Sequence, residues 1–233
     1  MMQKVTRARP VDQVTATLRA ELLARRWPPG SALPPERELA ATLGVSRLTL
    51  RAGLARLETE GLVRARQGDG VRVLDPARHG TLDLLAHLAL RDHAELVASF
   101  LELRRLVAVE AVALAAERRT DEQLAALTVL AEAQRAETDD EAYGERDLAF
   151  SRAVLEASGS FAMVLLLNSL EGVWRAHPEL SAALRADRAA SLAGYDAVIA
   201  LLTARDANGA RTLIRPVLEA VDAAAIERLR RSP

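Results

Sequence analysis

The sequence has 233 residues, of which 50% are hydrophobic and only 3% aromatic, and it contains no cysteine. Because alanine, leucine and arginine abound, this composition favours helices over a large sheet and supplies enough apolar residues for a core. The absence of cysteine excludes disulfides, zinc fingers and thiol catalysis. No apolar run reaches membrane-spanning length and the N-terminus lacks the apolar core of a signal peptide, so we expect a cytoplasmic protein without a membrane partner.

The formal net charge of -1 conceals a difference between the two ends of the chain. Residues 1–75 carry 13 Lys and Arg against 8 Asp and Glu, whereas the remaining residues carry 18 against 24. A basic N-terminal part followed by an acidic body indicates that only the N-terminal part meets a polyanion.

The N-terminal residues predict three helices in close succession. The first is expected over Val11–Arg25, where WPPGSALPP breaks it, because Pro and Gly do not continue a helix there. ERELAATLG predicts a short second helix that ends at Gly44. Ser46 then offers an N-cap oxygen to a third helix, which Gly61 ends. Two short helices joined by a tight turn that contains Gly are typical of a helix-turn-helix.

A two-stranded hairpin is expected directly after the third helix. In LVRARQGDGVRVLD the apolar residues alternate with arginines, and Gln67–Gly70 supplies the turn. We therefore expect a winged helix-turn-helix domain over residues 1–75. The segment DPARHG has the Pro and Gly of a linker, which we place at residues 76–80.

Residues 81–233 have an almost wholly helical pattern without strand periodicity or a fixed repeat. This pattern predicts an antiparallel helical bundle. The expected fold class is therefore mainly α, with an N-terminal winged helix-turn-helix and a C-terminal helical domain that binds an effector and dimerises.

The predicted third helix has two different faces. Leu50, Leu54 and Leu57 fall within a narrow arc and are expected to pack on the first two helices. The opposite side carries small or apolar residues between arginines: Arg47, Leu48, Thr49, Arg51, Ala52, Ala55 and Arg56. In the DNA major groove Arg bonds guanine or phosphate, and Leu48 contacts a thymine methyl. The alternative is a solvated face with chance arginines, which the arginines of the adjacent hairpin disfavour.

The segment LPPERELAATLGVSRLTLRAGLARLETEGLVRARQGDGVRV resembles the winged helix-turn-helix of GntR-family transcription regulators along its full length. The resemblance implies that phosphates and base edges are contacted by Arg37, Ser46, Arg47, Thr49 and Arg51. It also implies that Gly68 approaches the minor groove at the tip of the wing. Gly53 departs from the family pattern and weakens the helix interior by roughly 1 kcal/mol relative to Ala.

The body is similar to the ligand-sensing domain of the FadR subfamily, in FLELRRLVAVEAVALAAERRT, RDLAFSRAVLEASGS and ARDANGARTLIRPVLEAV. The resemblance implies six or seven helices around a cavity, where many relatives hold a divalent metal with one Asp and three His. Asp147 is present here, but the histidine positions hold Ser151, Asp196 and Val217. Because these residues form a poor site, we predict no metal and no cofactor. A metal-dependent sensor is the alternative.

Loss of the histidines is shared with the fatty-acid-responsive branch of the subfamily, which implies a small organic acid or acyl effector. Arg104 is our candidate for its carboxylate, since it lies in an apolar stretch and a guanidinium binds carboxylate bidentately. An alternative of equal weight is that Arg104 has no ligand role and pairs with Glu110 or Asp147, or points to solvent. The other candidate effector contacts are Tyr143, Asp147 and Ser151, spaced by four residues on one helix, together with Asn168 and Tyr195.

These features predict a homodimeric, sequence-specific transcription regulator, in particular a repressor that an effector releases from DNA. Each N-terminal domain would read one half of a palindromic operator on double-stranded DNA. An enzyme is disfavoured, because the sequence contains no Gly-rich phosphate loop, nucleophile elbow or cluster of metal ligands. The remaining alternative is an architectural DNA-binding protein whose helical domain only dimerises.

Overall fold

The chain forms two compact units, residues 1–88 and 89–233, in a computed structural model that describes residues 9–66, 69–87 and 94–231. The predicted fold class is confirmed, since the described part is mainly helical and its strands form one antiparallel pair in the N-terminal unit. Among the described residues no helix has the length and apolar character needed to cross a bilayer.

The N-terminal unit is a winged helix-turn-helix. Its elements are α1 (Pro10–Leu23), α2 (Glu36–Thr42), α3 (Arg47–Thr59), β1 (Val63–Arg66), β2 (Gly70–Val73), α4 (Pro76–His79) and a 3-10 helix (Leu82–His87). The first helix ends two residues earlier than expected, and Arg25 then adopts a positive φ of 56°. α4 lies where the sequence suggested a linker, with the Asp75 side chain accepting from the Ala77 amide. The linker boundaries at 76–80 stay a prediction.

The core of this unit is built from the apolar faces of its helices and from the base of the hairpin. It buries Val14, Leu18 and Leu22 of α1, Leu39 of α2, Leu50, Leu54 and Leu57 of α3, and Val63, Val71 and Val73 of the wing. Leu84 of the 3-10 helix belongs to the same cluster. Arg19 of α1 donates to Glu60 at 2.6 Å, a nearly buried ion pair that fixes the end of α3 against α1.

Gly53 lies where α3 packs against α1. A Cβ at this position would lie 3.1 Å from Cγ1 of Val14 and 3.3 Å from Oγ1 of Thr15, tighter than ordinary van der Waals contact. The departure from the family pattern therefore has a packing reason: the missing Cβ lets α1 approach, which offsets the weaker helix propensity of Gly.

The second unit consists of helices packed around small and branched apolar side chains. Its elements are α5 (Ala94–Arg118), α6 (Asp121–Arg135), α7 (Asp140–Ala157), α8 (Phe161–Ala176), α9 (Pro178–Leu184), α10 (Arg188–Ala204), α11 (Ala207–Gly209), a π-helical turn (Ala210–Ile214) and α12 (Arg215–Arg231). α5 contributes Val109, Ala113 and Ala116 to the core, which also contains Phe150 and Leu202. The π-helical turn was not expected, and it precedes Pro216, which has no N–H for the regular helical ladder.

Candidate nucleic-acid interface and effector site

Helix α3 begins at the cap that the sequence predicted. The Ser46 backbone is extended, and its side chain accepts from the Thr49 amide at 3.1 Å. The Ser46 and Thr49 hydroxyl oxygens are 2.8 Å apart, so one of the two hydroxyl groups donates its hydrogen to the oxygen of the other. The second hydroxyl hydrogen stays available for a phosphate oxygen.

The two faces of α3 are also confirmed. Leu50, Leu54 and Leu57 are buried, whereas Leu48 is 80% exposed, a larger fraction than any other large hydrophobic side chain among the described residues. Ala52 and Ala55 are exposed as well. An exposed leucine beside alanines gives α3 a narrow outer face that fits the width of the major groove.

The arginines of this unit divide into paired and unpaired groups. Arg37 and Arg47 are exposed and have no acidic partner among the described residues. Arg51 lies 3.9 Å from a Glu36 carboxylate oxygen, which is too long for a hydrogen bond. Arg56 instead donates to Asp12 at 2.5 Å, and this hydrogen bond lowers the pKa of Asp12. Three predicted DNA contacts therefore keep their donors available, whereas Arg56 is engaged.

The wing presents two further cations. Arg64 and Arg66 of β1 are exposed and lack an acidic partner in the described part of the chain. Arg72 of β2 is instead bound to Asp69 at 2.9 and 2.6 Å, a contact that lowers the pKa of Asp69. The sequence indicated that arginines of the wing, among them Arg64 and Arg66, favour DNA binding, but it did not name either residue as a DNA contact. Gly68, the predicted minor-groove contact, lies outside the described residues.

In the second unit, Arg104 has a partner that the sequence did not indicate. Arg104 donates to Oδ1 of Asp222 at 2.9 Å, and Arg105 donates to Oδ2 of the same carboxylate at 2.7 Å. Asp222 is buried on α12, 118 residues from Arg104. The alternative in which Arg104 pairs with Glu110 or Asp147 is therefore wrong, because α12 packs on α5 and supplies the carboxylate. Glu110 pairs with Arg211 instead.

Four polar side chains of α6, α7 and α10 form one group, which we call the polar cluster: Gln134, Tyr143, Asp147 and Tyr195. The Tyr195 hydroxyl donates to Asp147, and the Gln134 amide donates to the Tyr143 carbonyl at 3.0 Å and approaches the Tyr195 hydroxyl at 3.5 Å. Burial and the charge of Asp147 raise the pKa of the Tyr195 phenol above its usual 10.0. Three predicted effector contacts thus lie together, joined by Gln134, which the sequence analysis missed.

The other two predicted effector contacts lie apart from this cluster on the surface. Ser151 is exposed on α7. Asn168 is exposed on α8, where its side-chain oxygen accepts from Arg152 at 3.0 Å. Their spacing on the helices was visible in the sequence, whereas the side of each helix that faces the core depends on the packing of all its neighbours.

The positions that hold a metal in many relatives do not form a metal site here. Asp147 accepts the Tyr195 hydroxyl, Asp196 is exposed and pairs with Arg135, and Val217 is exposed and has no ligand atom. Within the described residues there is no group of three or more His, Asp or Glu side chains that could hold a metal ion. These residues therefore do not fit the metal that the resemblance implies.

A winged helix-turn-helix followed by a helical unit with a buried polar cluster defines a DNA-binding transcription regulator with an effector domain. Residues 10–73 match the gntR family of bacterial regulatory proteins, and residues 99–220 match the FCD domain. The chain belongs to the GntR family and is similar to its FadR subfamily.

Two relatives illustrate the similarity. The HTH-type transcriptional regulator Mce2R of Mycobacterium tuberculosis is 34% identical over 94% of this chain and 92% of its own length. The fatty acid metabolism regulator protein of Klebsiella pneumoniae is 34% identical over 64% of this chain and 62% of its own length. Among solved structures, the Streptococcus agalactiae GntR protein has 26% identity and a TM-score of 0.51, covering 91% of this chain and 99% of that one.

Proposed function

We propose that the protein is a repressor that binds a palindromic operator as a homodimer in the cytoplasm, and that a small-molecule effector changes its operator affinity. Its role is regulatory and not catalytic. The observation that carries the DNA-binding part is the outer face of α3, where Leu48 is exposed between arginines that keep their donors available. Reading of base edges by such a helix supplies sequence specificity, while the wing cations bind phosphates.

An exposed apolar face on α8 supports the homodimer. Phe161 and Leu165 lie one turn apart and are 75% and 50% exposed. A contiguous apolar patch of this kind marks an interaction site, and a symmetric dimer buries the same patch of both copies against each other. Two N-terminal units related by a twofold axis match the symmetry of a palindromic operator.

An acyl effector is supported by the relatives named fatty acid metabolism regulator protein. That the carboxylate of the effector binds Arg104 stays a prediction. The existing ion pair of Arg104 with Asp222 affects how such a carboxylate could bind. Because Arg104 donates to Asp222 through one Nη atom, the carboxylate of a ligand would either share the Arg104 guanidinium with Asp222 or replace Asp222. Replacement gains less free energy than binding an unpaired guanidinium, since one ion pair is lost for each one formed.

The experiment that tests the proposed function is operator selection followed by titration. Double-stranded fragments selected from a random library by the purified protein are expected to share an inverted repeat. In fluorescence anisotropy at fixed salt, the selected site should bind at least about 1,000-fold more tightly than a scrambled one. Equal affinity for both would contradict the proposal and favour the architectural alternative.

A further inference from the structure

The polar cluster contains two buried atoms that no protein group satisfies among the described residues. These are the Tyr143 hydroxyl and Oε1 of Gln134, and both residues are only 2% exposed. Buried polar atoms nearly always have a hydrogen-bond partner, and leaving one without a partner destabilises the fold. Two such atoms in one cluster, on adjacent helices, indicate a position for a polar ligand group.

The charge of the cluster is also uncompensated. Asp147 is half-buried and accepts the Tyr195 hydroxyl through Oδ1, but it forms no ion pair within the described part of the chain. Buried carboxylates elsewhere in the same unit do have cationic partners: Asp222 contacts two guanidiniums, and Glu171 pairs with Arg152. The polar cluster therefore presents a negative charge that has no ion-pair partner among the described residues.

Two arginines that pack on this part of α7, Arg188 and Arg185, do not change this conclusion. The Arg188 guanidinium lies 4.5 Å from the centre of the Tyr143 ring, but it donates to the Glu137 carbonyl at 2.8 Å and to Asp140 at 2.5 Å. The Arg185 guanidinium lies against Gly144, where an added Cβ would approach it to 2.7 Å. Neither forms an ion pair with Asp147.

We propose that the polar cluster binds a primary ammonium group of the effector, with N–H donors directed at Asp147, at Oε1 of Gln134 and at the Tyr143 hydroxyl oxygen. An ammonium has three donors and no acceptor, which matches three acceptors of which one is charged. A carboxylate would meet only acceptors and the like charge of Asp147, apart from the Tyr143 hydroxyl hydrogen. The inference rests on the proposed function, in which the helical unit binds the effector.

The surroundings of the cluster suit an ammonium on an apolar tail. The Tyr195 ring packs against Phe150 with ring centres 4.5 Å apart, and Leu130 and Leu192 are half-buried beside the same apolar core. This chemistry also accounts for the lost metal ligands. A transition metal requires several imidazole or carboxylate ligands, whereas an ammonium requires one carboxylate and neutral oxygens.

Three six-carbon probes that differ only in their polar group test this inference: hexylammonium chloride, hexan-1-ol and sodium hexanoate. Each is titrated into the whole protein by isothermal calorimetry at pH 7 and equal ionic strength, with thermal unfolding as a second readout. We expect one hexylammonium per chain with affinity at least about 10-fold above that of hexan-1-ol. Hexanoate is also titrated into protein saturated with hexylammonium and should not displace it, because Arg104, the candidate carboxylate anchor, does not belong to the polar cluster. Equal affinity of hexylammonium and hexan-1-ol, or displacement of hexylammonium by hexanoate, would overturn the inference.

Asp147→Asn and Asp196→Asn form a matched pair of variants. Asp147→Asn should weaken hexylammonium binding by about 10-fold to 100-fold and leave that of hexan-1-ol unchanged, because only the charge is removed. Asp196→Asn alters an exposed carboxylate that pairs with Arg135, and should change neither affinity. The inference fails if both variants behave like the parent.

Tyr143→Phe gives a readout that a merely structural role would not give. Removing a buried hydroxyl that has no partner should raise the Tm of the protein without probe by about 2 °C or more, and should weaken hexylammonium binding. A lower Tm would show that the hydroxyl is satisfied within the fold, which contradicts the inference.

Operator titrations on the same samples separate the two proposals. If the parent does not discriminate its operator, the proposed function fails whatever the probes do. If the operator is bound specifically but hexylammonium has no preference over hexan-1-ol, the ammonium site alone is wrong.

Discussion

Individual arginines on α3 differ in what they offer to DNA, although all are exposed. Arg47 has no acidic partner among the described residues, and Arg51 lies 3.9 Å from Glu36, whereas Arg56 is bound to Asp12. A guanidinium that is already hydrogen-bonded to a carboxylate must give up that pair before it binds a phosphate or a base. In the sequence these three arginines look equivalent, because all of them lie on the outer side of the same helix. Their ion pairs show which of them have donors available for DNA.

Arg47→Ala and Arg51→Ala are therefore expected to weaken operator binding, each by about 1–3 kcal/mol, because each removes a contact to a base edge or phosphate. Arg56→Ala is the control on the same helix and should change the affinity much less. The measurement is fluorescence anisotropy on the selected operator at fixed salt, with circular dichroism to verify helix content. Unchanged affinity of both Arg47→Ala and Arg51→Ala would refute the placement of α3 in the groove.

Asp147 supports a prediction about metal content. Its carboxylate is engaged by Tyr195, and the remaining positions of the relatives' metal site offer an exposed Ser151, a paired Asp196 and an apolar Val217. We expect no stoichiometric zinc, nickel or manganese in the purified protein. Elemental analysis that finds one transition-metal ion per chain, with a loss of thermal stability upon chelation, would disprove this.

At the scale of elements, local signals predicted the helices well and the long-range contacts poorly. The Ser46 cap and the buried stripe of Leu50, Leu54 and Leu57 follow from residues within one helix, and both are present. The Asp222 partner of Arg104 lies 118 residues away, and no local pattern specifies which helix packs on α5. Gln134 was missed for the same reason: one of the two glutamines of α6 becomes informative only when its neighbours on α7 and α10 are known.

The contact between α5 and α12 gives a prediction about stability. Asp222 is buried and receives hydrogen bonds from Arg104 and Arg105, so Asp222→Asn removes the carboxylate that the two guanidiniums share and leaves Arg105 only the more distant Glu219, at 3.7 Å. We expect this variant to lose about 3 kcal/mol of unfolding free energy, the lower end for a broken buried pair, because both arginines are partly hydrated.

Glu227→Gln is the control for Asp222→Asn, since Glu227 is an exposed residue of α12 that pairs with Arg230 at 3.1 Å. Its loss should cost less than about 1 kcal/mol, as is usual for a surface pair. Urea unfolding followed by circular dichroism compares the two variants. Equal midpoints would show that Asp222 does not hold α12 to α5.

At the scale of the whole molecule, control of operator affinity by an effector requires that the DNA-binding site and the effector site influence each other. An effector that lowers operator affinity by some factor must itself bind the operator complex more weakly by the same factor. Effector and operator titrations, each performed with and without the other ligand, therefore measure one coupling free energy twice. A coupling free energy different from zero identifies a ligand-modulated repressor, whereas an architectural protein has a coupling free energy of zero.

In the proposed function, a homodimer matches the twofold symmetry of the operator. If α8 forms the interface, replacing Phe161 and Leu165 by Glu places charges in a buried apolar contact and should yield a monomer. A monomer gains nothing from the second half of a palindrome, so its affinity for the full operator should fall to that of the parent for a half-site.

Val129→Glu is the control, because Val129 is 63% exposed on α6, away from α8 in the chain. Light scattering gives the oligomeric state and anisotropy gives both affinities. A double variant that remains dimeric would place the interface elsewhere, and a monomeric variant that still prefers the palindrome would show that the dimer does not set operator symmetry.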